Sequence, residues 1–449
     1  MQTYDLTEGN VPRLLLGQAL PMIWGIFAVI SMNLADTYFV GQLGTDELAA
    51  MGFTFPIVMI MSSVAFGIGI GASSLVSRAI GSKKLDEVRG YTTSSILIAL
   101  GIAIILAIIG ISTIDPVFRL LGAPDSVLPL IHDYMNIWYL GSFLIVVPMV
   151  GNSAIRAAGN TKLPSYIMIG IAIVNVILDP ILIFGWFGFP AMALKGAALA
   201  TIISFSVAFM ASIYVLRFKL DFLALEHCYH RIWPRWKAIL RLAIPAAASN
   251  IISPLSIAVT TWLVASYSSD AVAGYGIAAR VESFMLIMLM ALSAVLAPFS
   301  GQNWGANKLD RLQEAIKFGY RFSWIWGIGV AALLWLTSDY LLSAFTDNEA
   351  ALNSAKSYLM IVSLTFCFLG MVMMTNSVAN GIGNPIPALV FTFSRLLVLY
   401  LPLVYVLSNA FGLQGIYVAT AASNMLVGIA AWYWSSKKCR AEIITENVS

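Results

Sequence analysis

Charge is scarce in this sequence. Only 10% of its 449 residues are Asp, Glu, Lys or Arg, where soluble domains carry about a quarter. With 59% hydrophobic residues, that scarcity excludes an ordinary soluble domain and marks an integral membrane protein. The formal net charge of +3 is too small to point to a nucleic-acid partner. Cysteine is scarce too. Cys228, Cys367 and Cys439 make an odd count without CxxC spacing, which excludes a disulfide framework or a zinc site and leaves reduced thiols. There is no P-loop, no ATPase domain and no nucleophile-and-base arrangement. The chain is therefore expected to be neither an enzyme nor an ATP-driven pump, to need no cofactor, and to draw energy from an ion gradient.

What is present is apolar sequence in long runs. A bilayer core of roughly 30 Å takes about 20 residues per helix. Twelve candidate spans follow: 14–40, 47–77, 91–114, 126–153, 163–185, 193–217, 238–265, 271–301, 315–338, 351–379, 386–409 and 413–436. The first run is too long for a signal-peptide core and is read as a retained helix. The polar stretch 218–237 separates six spans from six. It divides an N-terminal lobe, 1–217, from a C-terminal lobe, 238–449, as a cytoplasmic connector. Loop charge sets the orientation. All of the 25 Lys and Arg except Arg119, Lys195, Lys356, Arg280 and Arg395 fall on the side of the termini, which predicts both termini in the cytoplasm of a cell with this protein in its inner membrane.

Shifted by 224 residues, the sequence matches itself. "TDELAAMG" at 45–52 meets "SDAVAGYG" at 269–276, "GSKKLD" at 81–86 meets "GANKLD" at 305–310, and "NSAIRAAGN" at 152–160 meets "NSVANGIGN" at 376–384. A six-helix repeat returns each half to the same side. The halves are then related by a pseudo-twofold axis along the membrane normal, and transporters bind substrate between such repeats. A channel would leave the repeat unexplained.

Four stretches carry a family resemblance: "LADTYFVGQLGTDELAA" after the first span, "SRAIGSKKLDEVR" after the second, "AIRAAGNTKLP" after the fourth and "NVILDPILIFG" in the fifth. With the six-plus-six organisation, the chain resembles the multidrug and toxic compound extrusion (MATE) transporters. That resemblance implies antiport of amphipathic or cationic organic compounds by a monomer in the lipid bilayer. The NorM-like branch is known for acids in the seventh and tenth helices. Here both lack an acid, while Asp36 and Asp179 stand in the first and fifth, which looks like the DinF-like branch. The resemblance also implies that helix one bends around Pro21 when its acid is protonated. Pro245 stands at the matching position of the other half.

Depth places the polar residues of the first lobe in its outer half. At 1.5 Å per residue, Asp36 is roughly 33 Å along the first span, and Asn175 and Asp179 roughly 18 and 24 Å along the fifth. Thr201 is roughly 12 Å below the outer end of the sixth. Tyr139 lies in the outer half of the fourth. These five form the predicted coupling site, with substrate in a cavity near Asp36. Two carboxylates in a low-dielectric cavity do not both ionise easily. Proton coupling at this pair fits, and so does Na⁺ held by Asp36, Asn175, Asp179 and Thr201. No other metal site is expected.

Plainer readings stand beside these. Asp36 is near the outer interface, and Asp179 before Pro180 has the form of a helix cap. A lipid-linked oligosaccharide flippase shares this architecture, yet only Arg280 and Arg395 are basic within spans, few for a pyrophosphate head group. Glu282 and Arg280, two apart on one helix, need other partners, with Arg395 a candidate for Glu282. Gly67, Gly69 and Gly71 are read as close-packing glycines. His227 and His230 are read as solvated.

Overall fold

The computed structural model describes residues 5–224 and 232–445, with side chains to 436. Residues 225–231 of the expected connector, His227, His230 and Cys228 among them, lie outside the described residues, as does the side chain of Cys439. Cys367 is buried and unpaired.

Every regular element among the described residues is helical. A bilayer supplies no partner for backbone N–H and C=O groups, and a helix satisfies them internally. The helices are α1 (Val11–Gly41), α2 (Thr45–Gly81), α3 (Leu85–Ser112), the short α4 (Ile114–Leu120), α5 (Leu128–Ala157), α6 (Lys162–Phe184) and α7 (Ala193–Tyr214). The second half has α8 (Ile232–Ala265), α9 (Ser269–Met285), α10 (Ile287–Gly305), α11 (Leu309–Ser343), α12 (Glu349–Val362), α13 (Phe366–Ile382), α14 (Ile386–Phe393), α15 (Leu401–Phe411) and α16 (Leu413–Thr445). Eleven of the described segments are long and apolar enough to span a membrane, and α9 with α10, meeting at 47°, make the twelfth. The expected span 271–301 is thus a broken one, bent beside Leu286. The eleventh is continuous but passes through a π-helical stretch, Ser394–Tyr400, between α14 and α15.

Packing divides the chain into two compact units. Leu20–Ala248 belongs to the first, and Thr7–Ala19 joins Ser249–Ser449 in the second. Within the first, α5 is the central helix, packed on α2, α3 and α7. Within the second, α13 is packed on α10, α11 and α16, and α12 on α9. These central helices are the fourth span of each half.

The repeat reaches into backbone detail. Lys83 and Asn307, 224 apart, both turn at φ 58, a left-handed conformation uncommon outside glycine. Gly159 and Gly383 share the same relation, at φ 79 and 87. The glycine stripe of α2 packs closely, as its composition predicts. A Cβ on Gly67 would stand 2.6 Å from the Ala243 carbonyl oxygen on α8, and one on Gly71 would stand 2.9 Å from that of Ile239.

Two polar segments dock as straps, and hydrophobic periodicity does not reveal them. Before α1, Lys308 Nζ donates to the Thr7 carbonyl at 2.9 Å, and Arg311 Nη1 donates to the Gly9 carbonyl at 2.6 Å. Before α8, Arg89 donates to the Asp221 carbonyl at 3.1 Å and pairs with its carboxylate, while Phe222 is fully buried.

Candidate functional site

The site is built where α1 lies along α6. The seam begins at small residues: a Cβ on Gly25 would stand 3.1 Å from the Ser165 Cα. It continues through Met32, packed with Ile171 and Ala172. Further along the same direction it reaches Asp36 and Asp179, whose carboxyl groups are close enough to influence one another.

Asp179 is 1% exposed and Asn175, one turn before it, 0%. Neither oxygen of Asp179, neither polar atom of the Asn175 amide, nor Asp36 Oδ1 has a hydrogen-bond partner among the described residues. No Lys or Arg pairs with either acid among the described residues. Two ionised carboxylates offer only acceptors to one another. A hydrogen bond between them therefore requires a proton, and balancing two charges requires a cation. Oxygen donors of this kind suit a proton or a hard cation such as Na⁺. Among the described residues no group of three or more His, Cys, Asp or Glu is arranged to hold a metal ion.

The helix boundaries decide between the plainer readings. α6 runs without interruption through Asp179 and Pro180 to Phe184, so Asp179 is not an N-cap. α1 extends to Gly41, five residues past Asp36, and one oxygen of the carboxyl is enclosed by protein. α1 is also continuous through Pro21.

The other predicted residues are placed differently. Thr201 is half-buried on α7 and its hydroxyl donates to the Ala197 carbonyl at 3.0 Å, which leaves its lone pairs available. Tyr139 is buried but faces α3, where a Cβ on Gly110 would collide with its ring at 2.3 Å. No hydrogen bond joins Thr201 or Tyr139 to the acids. The tyrosine close enough to feel both carboxylates is Tyr134, five residues earlier on α5. In the second unit Glu282 accepts from the Tyr358 hydroxyl at 2.8 Å, a partner not foreseen, and Arg280 is exposed rather than buried in a pair.

Sequence comparison settles the lineage. The MatE family model matches residues 21–181 and again 245–406, and the two matches start 224 residues apart (245 minus 21), which is the offset of the internal repeat. The chain belongs to the MATE family of transporters. Among MATE relatives, an FAD transporter of Shewanella oneidensis is 37% identical over 97% of each chain. The probable multidrug resistance protein YoeA of Bacillus subtilis is 28% identical over 88% of each. The Vibrio cholerae MATE transporter VcmN, solved in a bent form, superposes with a TM-score of 0.91 at 29% identity, over 97% of this chain and 98% of that one. Membership makes this a multi-pass membrane transporter of the multidrug efflux family, not an enzyme.

Proposed function

We propose that this MATE protein is a proton-coupled antiporter that exports organic compounds by alternating access, with Asp36 and Asp179 as its coupling pair. The observation that carries the reading is the proximity of a buried carboxyl group, Asp179, to a half-buried one, Asp36, with no basic partner for either. Such a pair binds a proton from one side of the membrane and releases it when exposed to the other. Asn175 stands in the same enclosed position to supply a further oxygen, so Na⁺ is the competing ion. Loop charge supports cytoplasmic termini in the inner membrane.

Two classes of cargo have support. Amphipathic cations match the uncompensated acids of the first unit, and the multidrug name of YoeA agrees. Flavin nucleotides have their own support in the FAD transporter, the more similar of the two relatives.

Proteoliposomes with pH and Na⁺ gradients imposed separately provide the test, using a cationic dye and a flavin nucleotide as cargo. Efflux driven by the pH gradient alone, and lost in Asp36→Asn, is the expected result. Undiminished proton-driven efflux by Asp36→Asn would refute the assignment. Efflux that follows only the Na⁺ gradient would replace the proton with Na⁺.

A further inference from the structure

The second unit contains a polar cavity of about 240 Å³ that the coupling pair leaves unexplained. Two opposite charges line it, Glu282 on α9 and Arg395 in the π-helical stretch before α15. They do not form an ion pair with one another. Glu282 Oε2 takes the Tyr358 hydroxyl, and Arg395 reaches the Asn424 side-chain oxygen only at 3.4 Å. A guanidinium carries five N–H donors and keeps its charge in proteins, whereas a carboxylate can be neutralised by a proton. Arg395 is therefore the fixed charge of the cavity, and most of the guanidinium donors have no protein partner among the described residues.

The backbone around the cavity points the same way. Irregular backbone inside a membrane is tolerated where it is buried in protein or lines a cavity. Two irregularities meet here. The break between α9 and α10 falls at Leu286, which lines the cavity, and the π-helical stretch contributes both Arg395 and Tyr400. π-Helical turns are frequent at functional sites.

The repeat relates this cavity to the coupling pair. Thr260, which bonds Tyr400 at 2.8 Å, stands 224 residues after Asp36. Tyr358 stands 224 residues after Tyr134, the tyrosine beside the acids. Equivalent positions in the two halves thus carry polar sites of different chemistry. One has two acids, and the other has one acid and one arginine.

We propose that the second cavity is a recognition site for the anionic group of an organic ligand, a phosphate or a carboxylate, with Arg395 as its fixed cation. Glu282 receives donor groups of the same ligand and so orients it. The planar fork of Arg matches either oxyanion in bidentate fashion. Tyr275 and Tyr358, with ring centroids 5.3 Å apart, add an aromatic wall. The site does not depend on the flavin reading given above, which serves only to choose one probe.

The test uses purified full-length protein and two probe pairs that differ by one anionic group: flavin mononucleotide against riboflavin, and coumarin-3-carboxylate against coumarin. At least one charged probe is expected to bind about tenfold tighter than its neutral partner, in line with a charged hydrogen bond. Arg395→Gln should abolish that preference and leave the neutral probe unchanged. Arg395→Lys, which keeps the charge and loses the fork, should retain an intermediate preference, and it serves where Arg395→Gln does not fold. The proposal falls if neither pair is discriminated, or if the preference survives without Arg395. Discrimination of the carboxylate pair alone, with no flavin bound, keeps the site and removes the flavin cargo. A phosphate preference indifferent to Arg395 keeps that cargo and removes the site.

Discussion

Asp36 and Asp179 stand side by side on two helices of one unit, and no basic side chain is paired with either. Two acceptors in contact act as one group, so their substitutions are not expected to add. Asp36→Asn and Asp179→Asn should each lower gradient-driven efflux at least tenfold, and the double variant should be no worse than the more severe single one. Initial efflux rates in proteoliposomes check this. Fully multiplicative losses would mean that the two acids act separately.

Tyr134 and Tyr139 provide a sharper test of the site than the acids do. Tyr134→Phe removes a hydroxyl close enough to feel both acids and should reduce efflux several-fold with a changed dependence on pH. Tyr139→Phe keeps the ring against Gly110 and should leave efflux within about twofold of the parent. A pH profile for each variant distinguishes them, and the reverse pattern would move the site towards α3.

Gly67 tests the packing of α2 on α8. A new Cβ would meet the Ala243 oxygen and the Ala247 Cβ, each at 2.6 Å, and the Ala247 nitrogen at 2.8 Å, none of which can rotate away. Gly67→Ala should therefore cost about 1–3 kcal/mol, as overpacking does. Gly101→Ala, with nothing within 4 Å, should be neutral or stabilising by up to about 1 kcal/mol. Thermal unfolding in detergent, followed by tryptophan fluorescence, measures both.

Pro21 leaves one hydrogen bond of α1 unmade, because proline has no N–H to offer the Gly17 carbonyl. Pro21→Ala restores that bond. The expected outcome is slower turnover with unchanged ligand affinity, read from the split between kcat and KM. Unchanged turnover would make the proline a fixed feature of a helix that does not bend.

Much of this was legible because a repeat writes the same instruction twice. The offset of 224 residues matches "GSKKLD" with "GANKLD", and within them Lys83 and Asn307 adopt the same left-handed backbone. The acids stood out because uncompensated charge is rare in apolar sequence. Depth along a helix points to Tyr139 but does not fix its face, and five residues turn a helix by about 140°, the step from Tyr134 to Tyr139. The break at Leu286 and the π-helical stretch at 394–400 contain no Pro or Gly to announce them. Tertiary packing and the polar cavity they border accompany these departures. The straps were invisible because a short polar segment has no period.

The N-terminal strap also bears on the order in which the protein is made. Leu6, 2% exposed, and Thr7 are synthesised about 300 residues before Lys308 and Arg311. From Leu20 onward α1 belongs to the first unit, while its beginning belongs to the second. Helix α1 is therefore made long before the side chains that fasten its start. Until α11 has been translated, the Thr7 and Gly9 carbonyls lack these two donors, and a truncated chain that stops before Lys308 never gains them.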